Sequence, residues 1–185
     1  MSIFVRQVQM PKWNCVLSSE TDFTSLSNNG FHDISSDPIT KDMGTTNGTL
    51  SVWQVNDTSK KSIGEIALAL IVGQSHVNRM DLMWFCLDPN ENSEIHLRKT
   101  FGQSKLSDMN SYHHDIVDLS YKNILPVVSL FATALYKEQY VNFLKDEVME
   151  LLLSAIKSER IRKEDLPSGI QKDLEKYNNR GSNKQ

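Results

Sequence analysis

The stretch TLSVWQVNDTSKKSIGEIALALIVGQSHVNRMDLMWFCL, residues 49–87, decides the fold class. Thr49 to Val55 alternates apolar and polar side chains with period two and carries β-branched and aromatic types, which predicts a strand. Asn56 to Lys61 reads as a turn. Ser62-Ile63-Gly64-Glu65 then has the spacing of a capping box, in which a serine hydroxyl accepts from the amide three residues on and the glutamate reaches back. A helix is therefore expected from Ser62. Ile63, Ile66, Ala67, Leu70 and Ile71 form one apolar stripe and Leu68 and Val72 fill the other side, so this helix should be buried nearly all round and end near Gly73. Leu82 to Leu87 is a continuous apolar run stopped by Asp88-Pro89-Asn90, the pattern of a strand buried on both faces. Strand, helix, strand is a βαβ pattern; if Val52 and Trp84 lie on parallel neighbours, the crossover should be right-handed.

Toward the N-terminus, Ile3-Phe4-Val5 and Trp13 to Leu17 are short apolar runs that read as two strands broken by Met10-Pro11. Residues 18–49 follow with only 6 hydrophobic side chains in 32, while 22 of them are Ser, Thr, Asn, Asp or Gly. Such a segment cannot bury enough surface by itself to offset its ordering entropy. Because Phe23, Leu26, Phe31, Ile34 and Ile39 recur within it, it is expected to be a long loop pinned by apolar anchors.

Toward the C-terminus, Ser93 to Phe101 reads as a short helix ended by Gly102. Tyr112 to Leu119 alternates like a strand or loop. No Gly or Pro occurs between Val127 and Leu166, and Pro126 suits a first helical turn, so one long helix is expected to begin near it. Val141, Leu144, Val148, Leu151 and Ala155 repeat at three-and-four spacing, widened by Tyr140 and Leu152. After Leu166-Pro167, Ser168-Gly169-Ile170-Gln171 fits a second capping box for a helix to about Tyr177. The expected whole is an α+β or α/β fold: a strand-rich N-terminal half with a βαβ element, a long polar loop at 18–49 and a C-terminal helical hairpin. One domain spans 1–177, with a disordered tail at 178–185.

Composition narrows the function. The 185 residues are 39% hydrophobic and 23% charged, with a formal net charge of −3. Residues 1–92 hold 6 Lys/Arg against 10 Asp/Glu, and residues 93–185 hold 14 against 13, so neither half is the basic footprint a nucleic-acid binder needs. The local cluster Lys157, Arg160, Arg162 and Lys163 reads as a solvated helix end. No apolar run reaches the roughly 18 residues of a membrane span, and the N-terminus lacks a signal-peptide pattern, so a cytoplasmic protein without membrane attachment is expected. Cys15 and Cys86 sit in apolar settings as buried, reduced thiols. Trp13, Trp53, Trp84 and Phe85 read as core aromatics on strands. No phosphate loop or nucleophile elbow occurs, and no cofactor is expected.

One cluster invites a catalytic reading. His113-His114-Asp115, with Asp118 four residues after His114, contains a His-Asp dipeptide that resembles the general pattern of HD-type phosphohydrolases. That resemblance implies divalent metal held by His and Asp in a helical bundle, completed by His76 or His96. Against it, Tyr112 to Leu119 alternates like a strand, where adjacent histidines point to opposite faces and chelate poorly. His32-Asp33 in the polar loop lacks a partner that would make it a general base. The reading carried forward is a non-catalytic protein-interaction module, an accessory, regulatory or immunity-type subunit that docks a larger protein or its own copy. Phe31 and His32 of the loop and Tyr140, Leu144, Val148 and Leu151 of the helix are the expected contacts. The alternative is a metal-dependent hydrolase or nuclease using His113, His114, Asp115 and Asp118.

Overall fold

A computed structural model describes residues 1–17, 41–45, 47–88 and 92–182. Its strands are β1 (Ser2–Val8), β2 (Leu50–Val55), β3 (Met80–Leu87), β4 (His96–Lys99), β5 (His113–Val117) and β6 (Tyr140–Phe143). Its helices are α1 (Met10–Leu17), α2 (Lys60–Ile71), α3 (Ile124–Tyr136), α4 (Lys145–Lys157) and α5 (Ser168–Ser182). The strands form one sheet in the order β4-β5-β2-β1-β3-β6, and every neighbouring pair is antiparallel. The fold is α+β.

The expected βαβ unit is present in a split form. β2 and β3 run parallel to each other, but β1 lies between them and is antiparallel to both. β3 is nonetheless buried on both faces, because helices cover the sheet on two sides rather than because its neighbours are parallel. On one face, Val5, Trp53, Val55, Met80, Leu82 and Phe143 pack with apolar side chains of α2, α4 and α5. On the other, Phe4, Val8, Leu50, Val52, Met83 and Phe85 pack with Trp13 of α1 and with Val127, Val128, Phe131 and Leu135 of α3. Alternate residues of β1, β2 and β3 thus enter two separate cores, the period-two consequence of a pleated sheet covered on both sides.

Four local expectations are corrected. Residues Met10–Leu17 are helix rather than strand, because Pro11 falls in a first turn, where a missing N–H costs nothing. Helix α2 starts earlier than Ser62: Ser59 is its N-cap and accepts from the Ser62 amide at 3.2 Å, the same spacing shifted by one turn. The segment around His96–Lys99 is an edge strand on β5, not a helix. The long C-terminal helix is two helices with a strand between them, since Tyr140–Phe143 pairs with the edge of β3 at Met80 to Met83.

Both breaks of that run have one cause. At the end of α3, Gln139 N–H donates to Ala134 C=O at 2.9 Å and Glu138 N–H to Leu135 C=O at 3.0 Å, with Glu138 at φ 55°. At the end of α4, Arg160 N–H donates to Ala155 C=O and Glu159 N–H to Ile156 C=O, both at 3.0 Å, with Glu159 at φ 59°. These are Schellman closures whose left-handed position, usually glycine, is held by glutamate. Helix α5 continues to Ser182, beyond the expected end at Tyr177. Among the described residues no helix is long and apolar enough to cross a membrane.

Candidate interaction surface

The histidine cluster lies on β5 and separates as strand geometry requires. The His113 ring stands edge-on to Trp53 at 5.0 Å and its Nδ1 lies 2.8 Å from Thr100 Oγ1. The buried His114 points to the opposite face, edge-on to Phe4 at 5.3 Å, and its Nδ1 donates to Tyr112 C=O at 3.1 Å. Asp115 accepts from Ser51 Oγ at 3.0 Å, and its Oδ1 is 4.0 Å from His113 Nε2. Asp118, at φ 60°, turns to His96 at 3.3 Å, while His76 meets Asp173 at 3.4 Å. The four weak metal candidates therefore do not converge, and among the described residues no three or more His, Cys, Asp or Glu side chains are grouped to hold a metal ion.

Burial holds the His113 imidazole below its ordinary value of 6.5; Asp115 opposes this and His114 adds to it. The folded protein thus resists protonation there, whereas the unfolded chain takes up a proton as pH falls through about 6.5. The stability His113 contributes is therefore full above pH 6.5 and is lost as pH falls from there toward the folded value. Urea midpoints at about pH 7.5 and about pH 5.5 should differ less in His113→Gln than in the parent protein.

The residues expected to form a docking stripe on one helix are dispersed. Tyr140 is on β6 and packs on the core beneath α1 and α3. Leu144 precedes α4 and is 61% exposed, Val148 is 0% exposed inside the other core, and Leu151 is half-buried against that core. Phe31 and His32, with His32-Asp33, lie outside the described residues. Three of the four cations of the basic cluster are paired internally: Arg160 with Glu65 and Asp108, each at 2.8 Å, Arg162 with Asp165 at 3.0 Å, and Lys163 with Glu175 at 2.9 Å.

Two features escaped sequence reasoning. The first is the end of the polar segment, where the carboxylate of Asp42, only 5% exposed, accepts from the Trp13 indole Nε1 at 2.7 Å and from the Gln9 amide at 2.8 Å. The Arg6 guanidinium donates to the carbonyl of the same Asp42 through Nε at 3.2 Å and Nη2 at 2.6 Å, and through Nη1 to Ser51 C=O at 2.6 Å. Burial pulls the Arg6 pKa down to about 10 against the opposing pull of Asp42, so it remains charged at neutral pH. The second is the outer edge of β4. Leu97 is 38% exposed there and Phe101, two residues past the strand, is 67% exposed.

The backbone carrying Phe101 is held on both sides. Thr100 N–H donates to His113 C=O at 3.2 Å and Gly102 N–H to Asn110 C=O at 2.9 Å. Gly102 permits this approach: a Cβ there would sit 2.8 Å from Asn110 Oδ1 and 3.0 Å from Trp53 Cη2. The class defined by this architecture is a three-layer α+β protein with a six-stranded, wholly antiparallel sheet covered on both faces. Comparison with protein-family models, with curated proteins and with solved structures finds no match.

Proposed function

We propose that this protein is a non-catalytic interaction module, an accessory or regulatory subunit of a larger assembly, and that it docks through the open edge of its sheet at β4. The observation that supports this reading is a large apolar side chain, Phe101, kept in solvent by a backbone hydrogen-bonded on either side of it. A side chain carried on backbone that is already fixed leaves less conformational freedom to be lost when a partner covers it, which favours binding over mere surface exposure. The edge also replaces the helical stripe as the docking surface, since Val148 and Tyr140 are committed to opposite cores. The polar segment remains a second candidate contact, its returning end fixed at Asp42. Metal-dependent hydrolysis finds no comparable support, because His113 and His114 face opposite sides of the sheet.

The test is site-specific photo-crosslinking from position 101 of the full chain in the cells that make it. A discrete adduct with one other protein is expected. Recovery of only the unmodified chain would overturn the proposal.

A further inference from the structure

The hydrogen bond from Thr100 N–H to His113 C=O fixes which backbone groups of β4 are free. In an antiparallel ladder, bonded pairs alternate. With His96 opposite Val117, Arg98 opposite Asp115 and Thr100 beside His113, residues 96, 98 and 100 turn inward. The N–H and C=O of Leu97 and Lys99 therefore point away from the sheet, at the end of the strand order, where no further strand follows among the described residues.

The side chains add a charge signature. Directly opposed residues share a face, so Leu97 and Lys99 lie on the face of Ile116 and His114, and Arg98 lies on the face of Asp115. Phe101 continues the first row by period two. Arg98 and Lys99 are both exposed, and neither forms an ion pair with a described residue. The edge thus presents an apolar, cationic, apolar row on one face and a second unpaired cation on the other. A second copy paired in a register centred on Arg98 or on Lys99 would set that cation against its own copy, and like charges directly opposite destabilise a pair, which disfavours those registers.

Resting on the interaction reading above, we infer that β4 receives an extended acidic segment of its partner as an added strand. Main-chain bonds to Leu97 and Lys99 supply the affinity, carboxylates meet Arg98 and Lys99, and apolar side chains of the segment lie against Leu97 and Phe101.

The probe is a fluorescent peptide of the repeat Val-Thr-Glu-Glu, one face of which alternates valine with glutamate to match Leu97, Lys99 and Phe101 while the other carries a glutamate for Arg98, titrated by anisotropy against the full chain. Two controls accompany it: the same peptide N-methylated at every second amide, and its lysine analogue. Saturable binding of the glutamate peptide is expected, with no binding of the lysine analogue. Loss of about tenfold or more should follow N-methylation or the double reversal Arg98→Glu, Lys99→Glu, each fold of ten being about 1.4 kcal/mol. Both substituted side chains are exposed, so circular dichroism of the variant should match the parent. Equal binding of the N-methylated peptide would reduce the site to charge attraction and overturn strand addition. Absence of peptide binding, binding indifferent to the reversal, or a dimer through β4 in sedimentation would overturn it too. If the position 101 adduct forms while the peptide fails, the interaction reading stands and the acidic-strand inference falls; loss of the adduct removes both.

Discussion

Val148→Asp is expected to unfold the protein, and Leu144→Asp, four positions earlier in the same apparent stripe, to leave it folded. Val148 is 0% exposed and packs in the core between the sheet and helices α2, α4 and α5. An aspartate there has no described cation waiting for it, and burying an unpaired carboxylate costs several kcal/mol on top of the lost packing. Against a total stability of about 5–15 kcal/mol, that single change consumes most of the margin. Leu144 is 61% exposed and occupies the N-cap position of α4 with extended backbone, φ −65° and ψ 158°. Asp is a preferred N-cap residue, so Leu144→Asp should be neutral or add about 1 kcal/mol. Urea unfolding followed by circular dichroism separates the two outcomes. Equal tolerance of both substitutions would mean that the two residues do share one exposed helical face.

Asp42→Ala should cost about 3 kcal/mol, because it strands the buried Trp13 indole N–H and removes the acceptor of the Gln9 amide, and bonds to a charged group are worth about 1.5–3 kcal/mol. Asp42→Asn should cost less, since its carbonyl still accepts from one or both donors. Trp13 is wholly buried among Phe4, Met43 and α3, so its fluorescence should move to longer wavelength in the alanine variant at urea concentrations where the parent remains native. The two residues are 29 positions apart, and their bond closes the base of the polar segment. A midpoint unchanged in Asp42→Ala would mean that this closure contributes nothing to the fold.

The places where sequence reading succeeded share a physical reason. Thr49 to Val55 and Leu82 to Leu87 carry strong strand patterns that tertiary contacts reinforce, and both are strands. The opposed orientations of His113 and His114 follow from pleat geometry alone. The failures arise where a local signal is silent or doubled. Helix ends at Glu138 and Glu159 use the left-handed conformation without glycine, so nothing in 127–166 announced a stop. Ser59 and Ser62 repeat one capping signal a turn apart, and only the earlier of the two is the cap. β1 enters between β2 and β3, a long-range pairing that no window of residues 49–87 can encode. His96–Lys99 is a strand by virtue of the edge of β5, which overrides the weak strand preference of a charged tetrapeptide. Asp42 was one more polar residue in a polar stretch; its only sequence signal is the adjacent Met43, also buried.

Recognition at the β4 edge is the central proposal, and paired photo-crosslinking from positions 101 and 144 tests it most directly. Both side chains are exposed, one beside β4 and one at the start of α4, so reactivity alone does not favour either. An adduct to another protein from position 101, and none from position 144, is the predicted result. An adduct from position 144 with none from position 101 would contradict the account and move the docking surface to α4.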